Sequence, residues 1–497
     1  PVPGVAPAPA PRARGGALRG RLLRAGLLAA AVATIVALDT GAVPLPLSTP
    51  SGTPGGRVAA GGQEPGSASS PDVVGAAKAR SQGIGATLAA MTAAYAAQDE
   101  AGFLAAVDPG QSALVGRMKR VYRNLRTIGY SGVAFSWPLG DSASAPADVS
   151  NDGADLARPV VAAVEVRTRL EGFDPRPTTT ILPWTFAERG GAWKLVGDRD
   201  AGADSFVGYY LDGEPWMVAS VVVERRRHVV VIGEKSRAAD VDRLATRLET
   251  AVGVVRDVWD VKTWNGKVVA YAMTNKKFVD YHFAGRAATG RKTKEAVFDA
   301  KVSMLDATPV RNGHEVQDYS APRIVVTPFL LGRDTNESRA VLRHELTHVA
   351  FAFEGGESVP AWLVEGTAEY TGFRTGGASV DGIGALARRG LPRETWTQLR
   401  RGTWKPALVS EDAQFYDGTS ARVGNTYTTA WLTCLYIADT YGEQSLAKMY
   451  VEAAKASPDG DPAAVEATVI KKVLKTDRTA LLEKVTSYAQ RIRSRFV

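Results

Sequence analysis

The spacing of apolar positions changes several times along the chain, and the changes divide it. Ile84, Leu88, Met91 and Tyr95 recur at helical spacing, as do Leu114, Met118, Val121, Tyr122 and Leu125. Val133 to Trp137, Val160 to Leu170 and Thr178 to Phe186 then read as strands, and Gly190-Gly191 predicts a hairpin turn into Trp193 to Val196. These elements fill residues 75–213 as an α+β block. From Trp216 the pattern becomes denser. Val218 to Val223 and His228 to Ile232 predict buried strands. Asp240 to Val258 predicts a helix with Leu244, Leu248, Val252 and Val255 on one stripe, and Lys267 to Met273 and Arg323 to Thr327 predict further strands. From Asn336 to the end the period is mainly helical, and the chain has no internal repeat.

Ahead of these blocks lies a different kind of sequence. Ala25 to Leu38 is an apolar run closed by Asp39. It is short for a membrane span and suits the apolar stretch of an export signal. Thr40 and Ala42 are small residues at the spacing that a signal peptidase accepts, so 25–42 reads as a signal peptide or, uncleaved, as a membrane anchor. Pro44 to Pro71 is rich in Pro, Gly, Ser and Thr, which makes 43–74 a flexible spacer.

Charge supports that reading. The chain has 497 residues, with 60 Lys and Arg against 52 Asp and Glu, a net charge of +8. Arg12, Arg14, Arg19, Arg21 and Arg24, in a segment 1–24 without an acid, contribute +5 of that net charge. A basic flank before an apolar run orients the remainder of a chain outside the cytoplasm. The rest is nearly neutral, so no nucleic-acid-binding face is implied. The body is expected to be extracytoplasmic, either secreted or held to the membrane by its N-terminal segment. Cys434 is the only cysteine, which excludes disulfides within the chain and thiolate metal clusters; on its apolar stripe it reads as a small buried hydrophobe.

The chemistry centres on histidine. There are five, and two of them form His344-Glu345-Leu346-Thr347-His348. On a helix, residues four apart share a face, so both imidazoles can hold one Zn²⁺. Glu345 lies about 100° round the helix and can act on a water as general base. Asp334 with Glu337 predicts a capping box, Leu342, Leu346, Val349 and Phe353 a buried stripe, and Gly355-Gly356 the helix end. The tripeptide Asn336-Glu337-Ser338 overlaps this start and reads as part of the cap rather than as a glycosylation acceptor.

Catalytic zinc takes three protein ligands and keeps one position open. The third candidate lies in the string from Pro360 to Tyr370, PAWLVEGTAEY, where Pro360 suits the first turn of a second helix. Glu365 and Glu369 share a face there: one acid can ligate, and the other can orient a ligand imidazole. Gly366 would let this helix pack closely on a neighbour. Glu354 and Glu357, in the loop ahead of that helix, are the alternative third ligands. For a transition-state donor the candidate is Tyr427, in a helix that Asn425 can cap and Gly442 ends. Tyr427 also falls on an apolar stripe with Trp431, Cys434, Leu435 and Ala438, which suits a core residue equally, and Tyr416 is the second candidate. His228, His282 and His314 have no partner at ligand spacing and read as structural.

The pair of strings, HELTH and WLVEGTAEY, resembles the gluzincin metallopeptidases, which include thermolysin, the aminopeptidase N type and bacterial peptidases of the MA-like superfamily. The resemblance covers roughly 216–497 and implies zinc held by His344, His348 and Glu365, Glu345 as base, and Glu369 behind a ligand. It also implies a thermolysin-like domain with a sheet-containing half, 214–336, and a helical half, 337–497. In aminopeptidase-like relatives a tyrosine at the start of a comparable helix steadies the oxyanion, which corresponds to Tyr427. An edge strand before the zinc helix pairs with the substrate in such proteases, which would be Arg323 to Thr327, a run that equally suits an ordinary β-branched strand. Sixteen residues separate His348 from Glu365, fewer than in the best-known members, and no motif for a free amine precedes the zinc helix. The element order of 75–213 resembles the nuclear-transport-factor-like cone domain. The expected function is hydrolysis of peptide bonds in a peptide or protein by metal-activated water. The alternatives are a non-catalytic envelope scaffold with a retained zinc site, and a zinc amide hydrolase acting on non-peptide cell-wall material.

Overall fold

The computed structural model describes residues 71–137, 159–198, 213–279, 300–303, 322–352, 358–374, 390–417, 419–456 and 460–494, with 282, 354, 310–311 and 314–315. The segments expected as basic flank, signal or anchor lie outside these residues. Among the described residues no helix is long and apolar enough to cross a membrane.

The molecule is mixed α+β, built around two sheets. In its first part, helices α1 (Pro71–Ala96), α2 (Glu100–Ala105) and α3 (Ser112–Ile128) precede four antiparallel strands in sequential order: β1 (Gly132–Ser136), β2 (Val160–Arg169), β3 (Thr178–Arg189) and β4 (Ala192–Gly197). The sheet curls as a half-barrel. Gly190 and Gly191 make the β3–β4 turn at φ of 61° and 79°, the left-handed region that a tight two-residue hairpin demands. Both predicted helical stripes are buried, with Ile84, Leu88, Met91 and Leu125 in the core beneath the sheet.

The second sheet has five strands: β5 (Val221–Arg225), β6 (Val229–Glu234), β7 (Val268–Ala272), β8 (Ala300–Ser303) and β11 (Arg323–Val326). Between the last two, β9 (Val310–Arg311) and β10 (His314–Glu315) form a separate small ladder. The order across the sheet is β5-β6-β7-β11-β8. β6, β7 and β11 run parallel, and β5 and β8 flank them antiparallel. The central strands read as unbroken apolar runs because both faces are covered. Val229, Val231, Val268, Ala270, Ile324 and Val326 face helix α5 (Ala238–Val258) and the C-terminal helices. Val230, Ile232, Val269, Tyr271 and Val325 face the first part and share its core. The helices and strands of the first part are thus seated on one face of the sheet.

Two expectations change here. Val218 does not begin a strand: Pro215 starts a short helix, α4 (Pro215–Val218), and the strand opens at Val221. β11 is not an edge strand, because β8 pairs along its full length, Arg323 opposite Ser303 and Val326 opposite Ala300. β8 itself holds the edge. Pro328 then begins a short helix, α6 (Pro328–Leu331), capped by the Thr327 hydroxyl, where a proline needs no donor.

The junction between sheet and first part contains a buried ion pair. Arg323 reaches Asp174, in the β2–β3 turn, with Nη1 2.7 Å from Oδ1 and Nη2 2.9 Å from Oδ2. Oδ2 also accepts from the Leu170 amide at 2.7 Å. Tyr271 Oη accepts from Arg323 Nε at 3.3 Å and donates to Glu214 Oε2 at 3.3 Å. Burial pushes the Glu214 carboxyl up to about 7, against the opposing charge of Arg323 and hydrogen bonds from Tyr271 and Thr180.

Asp174→Ala strands a buried guanidinium at this junction and should cost about 3–5 kcal/mol in denaturant unfolding; a loss under about 1 kcal/mol would place the pair among ordinary surface bridges. The Glu214 proton is held in the folded state to about pH 7 but released near 4.5 when unfolded. Stability must then fall as pH rises across that window, by on the order of 3 kcal/mol at most. Glu214→Gln should flatten the drop in melting temperature between about pH 5 and pH 8, and a drop identical to wild type would assign it to other groups.

Candidate metal centre

Helix α7 (Asn336–Phe351) carries the HELTH string. Its cap is one residue later than the sequence suggested. Thr335 Oγ1 accepts from the Ser338 amide, and Ser338 Oγ accepts from the Thr335 amide, so the capping box is Thr335/Ser338. Asp334 instead pairs with the Arg339 guanidinium at 2.8 Å. Ser338 thus does the capping expected of its tripeptide. Leu342, Leu346 and Val349 are buried as the stripe required; Phe353 and Gly355-Gly356 lie outside the described residues, and the helix ends at Phe351.

The second helix, α8 (Ala361–Phe373), begins after Pro360, which is its N-cap rather than a member of its first turn. Proline offers no capping side chain, so the first amides are satisfied from a distance: Ala361 donates to the Ser410 carbonyl at 2.8 Å and Trp362 to the Val409 carbonyl at 3.1 Å. After α9 (Arg393–Arg401) and α10 (Asp412–Phe415) comes α11 (Ser420–Tyr441), followed directly by α12 (Glu443–Ala454). Helix α8 packs against both α7 and α11. Gly366 makes the second contact possible. A Cβ there would lie 2.6 Å from the Ala430 carbonyl oxygen and 2.7 Å from Cys434 Sγ. Cys434 is buried in this seam, as its stripe implied, with its thiol pushed upward by burial.

The two helices α7 and α8 bring together the residues that the strings singled out. Nε2 of His348 lies 3.1 Å from Nε2 of His344. Glu365 Oε2 is 3.3 Å from His344 Nε2, and its Oε1 is 3.8 Å from His348 Nε2. Glu369 Oε1 stands 3.3 Å from His344 Nδ1, on the far side of the ring. All three acids of the cluster, Glu345, Glu365 and Glu369, are at most 2% exposed. Glu354 accepts instead from Thr263 Oγ1 at 2.8 Å, outside the cluster, and Glu357 lies outside the described residues.

His344, His348 and Glu365 form a group that could hold a metal ion. Two imidazoles and a carboxylate are donor types that divalent metals take. The separations of 3.1, 3.3 and 3.8 Å suit atoms that could share one ion. Glu369 behind Nδ1 holds His344 with Nε2 turned to the centre. Burial disfavours charge on His344, but Glu365, Glu369 and Glu345 outweigh it and hold its pKa well above the usual histidine range, so a metal would have to displace a proton there. Burial would raise Glu365, yet the histidines and a hydrogen bond from Tyr416 bring it down to about 2. Burial takes His348 down to about 4, so it stays neutral and able to ligate.

Two tyrosines meet Glu365. Tyr416 follows the short helix α10, and its hydroxyl donates to Glu365 Oε1 at 2.6 Å. Tyr427 lies on α11, packed on Phe415 and near Tyr416, at ring distances of 4.9 and 6.4 Å. Burial, with Glu365, Tyr416 and Glu369 nearby, raises its pKa well above the ordinary phenol range. Tyr427 is therefore both core and part of the site's wall. Asn425 does not cap its helix: Thr419 does, and Asn425 Oδ1 accepts from Trp404 Nε1 at 3.1 Å. Gly442 ends the helix as expected.

The sequence understated His228. Its Nδ1 lies 2.6 Å from Glu249 Oε1 and its Nε2 2.8 Å from Arg256 Nη1, a tie between β6 and α5 that is remote from ligand spacing along the chain. His282 bonds the Gly213 carbonyl at 2.9 Å, and His314 sits in the small ladder.

No family model, no curated protein and no solved structure matches the chain.

Gly366→Ala should destabilise the fold by about 1–3 kcal/mol, since the nearest obstructing atom is a backbone carbonyl oxygen of the neighbouring helix. It should also weaken metal binding, because Glu365 is the adjacent residue. Wild-type stability together with wild-type metal affinity would disprove the close-contact account.

Proposed function

We propose that the protein is a zinc-dependent peptidase of gluzincin type that works on the extracytoplasmic side. The observation that carries this is the convergence of two imidazole nitrogens and a carboxylate from two helices, with further buried carboxylates beside them. A purely structural site has no use for a base at Glu345. In this reading 75–213 is a cone-like accessory block and 214–497 a thermolysin-like domain.

His344, His348 and Glu365 would hold the zinc, and Glu369 would orient His344. Zinc, when bound, supplies Lewis acidity, polarising a carbonyl and making water a stronger acid near neutral pH. Glu345 then takes the proton of the attacking water on its carboxylate and returns it to the leaving amine nitrogen. Tyr427, through its hydroxyl, donates to the oxyanion as charge develops on the carbonyl oxygen. The partner is a peptide or protein met outside the cytoplasm. The basic segment 1–24 and apolar run 25–42 support that location, and the nearly neutral body argues against nucleic acid.

The test is a peptide-library digest by the purified full chain, with metal analysis and with chelator. One zinc per chain is expected, with cleavage abolished by chelator and restored by zinc. Glu345→Gln should retain zinc and lose at least about a hundredfold in rate. A chain without zinc, or a Glu345→Gln variant with full activity, would overturn the assignment. Cleavage of cell-wall amides but not of peptides would move it to another substrate class.

A further inference from the structure

The two oxygens of Glu365 have different surroundings. Oε2 faces His344 Nε2 at 3.3 Å and accepts no well-aligned hydrogen bond. Oε1 accepts from the Tyr416 hydroxyl at 2.6 Å, and both residues are buried. A short hydrogen bond from a phenol takes one lone pair of a carboxylate oxygen and makes that oxygen a weaker donor to a metal than its neighbour.

Tyr416 is itself unusually well held for a residue between two helices. The segment 408–416 is bonded on both sides. Towards α8, the carbonyls of Val409 and Ser410 cap the amides of Trp362 and Ala361, which open the helix carrying Glu365. On the other side, the Ser410 hydroxyl bonds Glu466, a fully buried carboxylate on α13 (Pro462–Val469). Arg478, the first residue of α14 (Arg478–Ser494), reaches Glu466 Oε1 at 3.3 Å and the Leu408 carbonyl at 2.6 Å. The stretch 408–410 that leads into Tyr416 is therefore fixed to the start of α8 and braced from the C-terminal helices.

We propose that Tyr416 is a positioning residue that restricts Glu365 to ligation through Oε2 alone. This inference rests on the zinc reading given above. A carboxylate ligates through one oxygen or through both, and a second oxygen would take the position a water needs in an open site. By engaging Oε1, Tyr416 keeps the protein's share at three donor atoms. Its role differs from that of Tyr427, since it acts on a ligand and not on the substrate.

The experiment uses the full chain loaded with Co²⁺ in place of zinc, comparing wild type with Tyr416→Phe. Four-coordinate cobalt absorbs strongly in the visible, and a fifth donor weakens the bands. The expected result is a loss of visible intensity in Tyr416→Phe, with zinc affinity, read against a chromophoric chelator, weakened about tenfold or more. Unchanged spectrum and unchanged affinity would overturn the proposal, even if activity fell, because a substrate-side donor has that signature. Ser410→Ala, which removes one bond of the brace, provides a second reading if Tyr416→Phe does not fold. It should shift the spectrum in the same direction by less, and a wild-type spectrum there would count against the proposal. Failure of the wild type to bind zinc or cobalt would refute the peptidase reading itself, whereas normal wild-type loading with an indifferent Tyr416→Phe refutes only this role.

Discussion

His344 meets two acids at once, Glu365 at Nε2 and Glu369 at Nδ1, and the C-terminal half is arranged around that double contact. A buried imidazole between two carboxylates is costly unless each polar atom is placed. The placement needs two helices at close range, each offering residues four apart. It therefore fixes the crossing of α7 and α8, demands a residue without a side chain at Gly366, and draws α11 against the outer side of α8. The apolar stripes of Leu342, Leu346 and Trp362 supply the burial, and the carboxylates set what it is for.

That arrangement depends on features at very different distances along the chain, which explains what the sequence disclosed. Whatever lies within one helical turn was legible: the histidine pair, the Glu365/Glu369 pair, the stripes around Met118 and Leu248, the Gly190-Gly191 hairpin and the stop at Gly442. These need only the helix or strand period. The caps were missed, by one residue at Thr335 and by more than a helical turn at Thr419. Asp334 and Asn425 are sound capping residues by type, but Thr335 and Thr419 were better placed, and a hydroxyl nearby wins without changing the pattern.

Longer links left no local trace. Nothing near Tyr416 marks it as the partner of Glu365, because the connection runs through carbonyls of Val409 and Ser410, which any residue possesses. The edge position of β8 was equally hidden. A four-residue strand with Lys301 and Ser303 has little apolar signal, so its neighbour β11, richer in β-branched residues, drew the assignment. Arg323 only opens a predicted strand, and Asp174 lies between two others. Only the fold shows that they are one ion pair.

That ion pair has a temporal side. Asp174 and Arg323 are 149 positions apart, and the chain is made from its N-terminus. The first part can assemble its curled sheet while the partner strand does not yet exist, leaving Asp174 in water. Closing so long a loop costs entropy that only the finished junction offsets. The helix bearing His344 begins ten residues after β11 ends, at Asn336 following Val326. A block that supplies none of the three clustered residues is thus tied, through one buried ion pair and a short connection, to the helix that carries two of them.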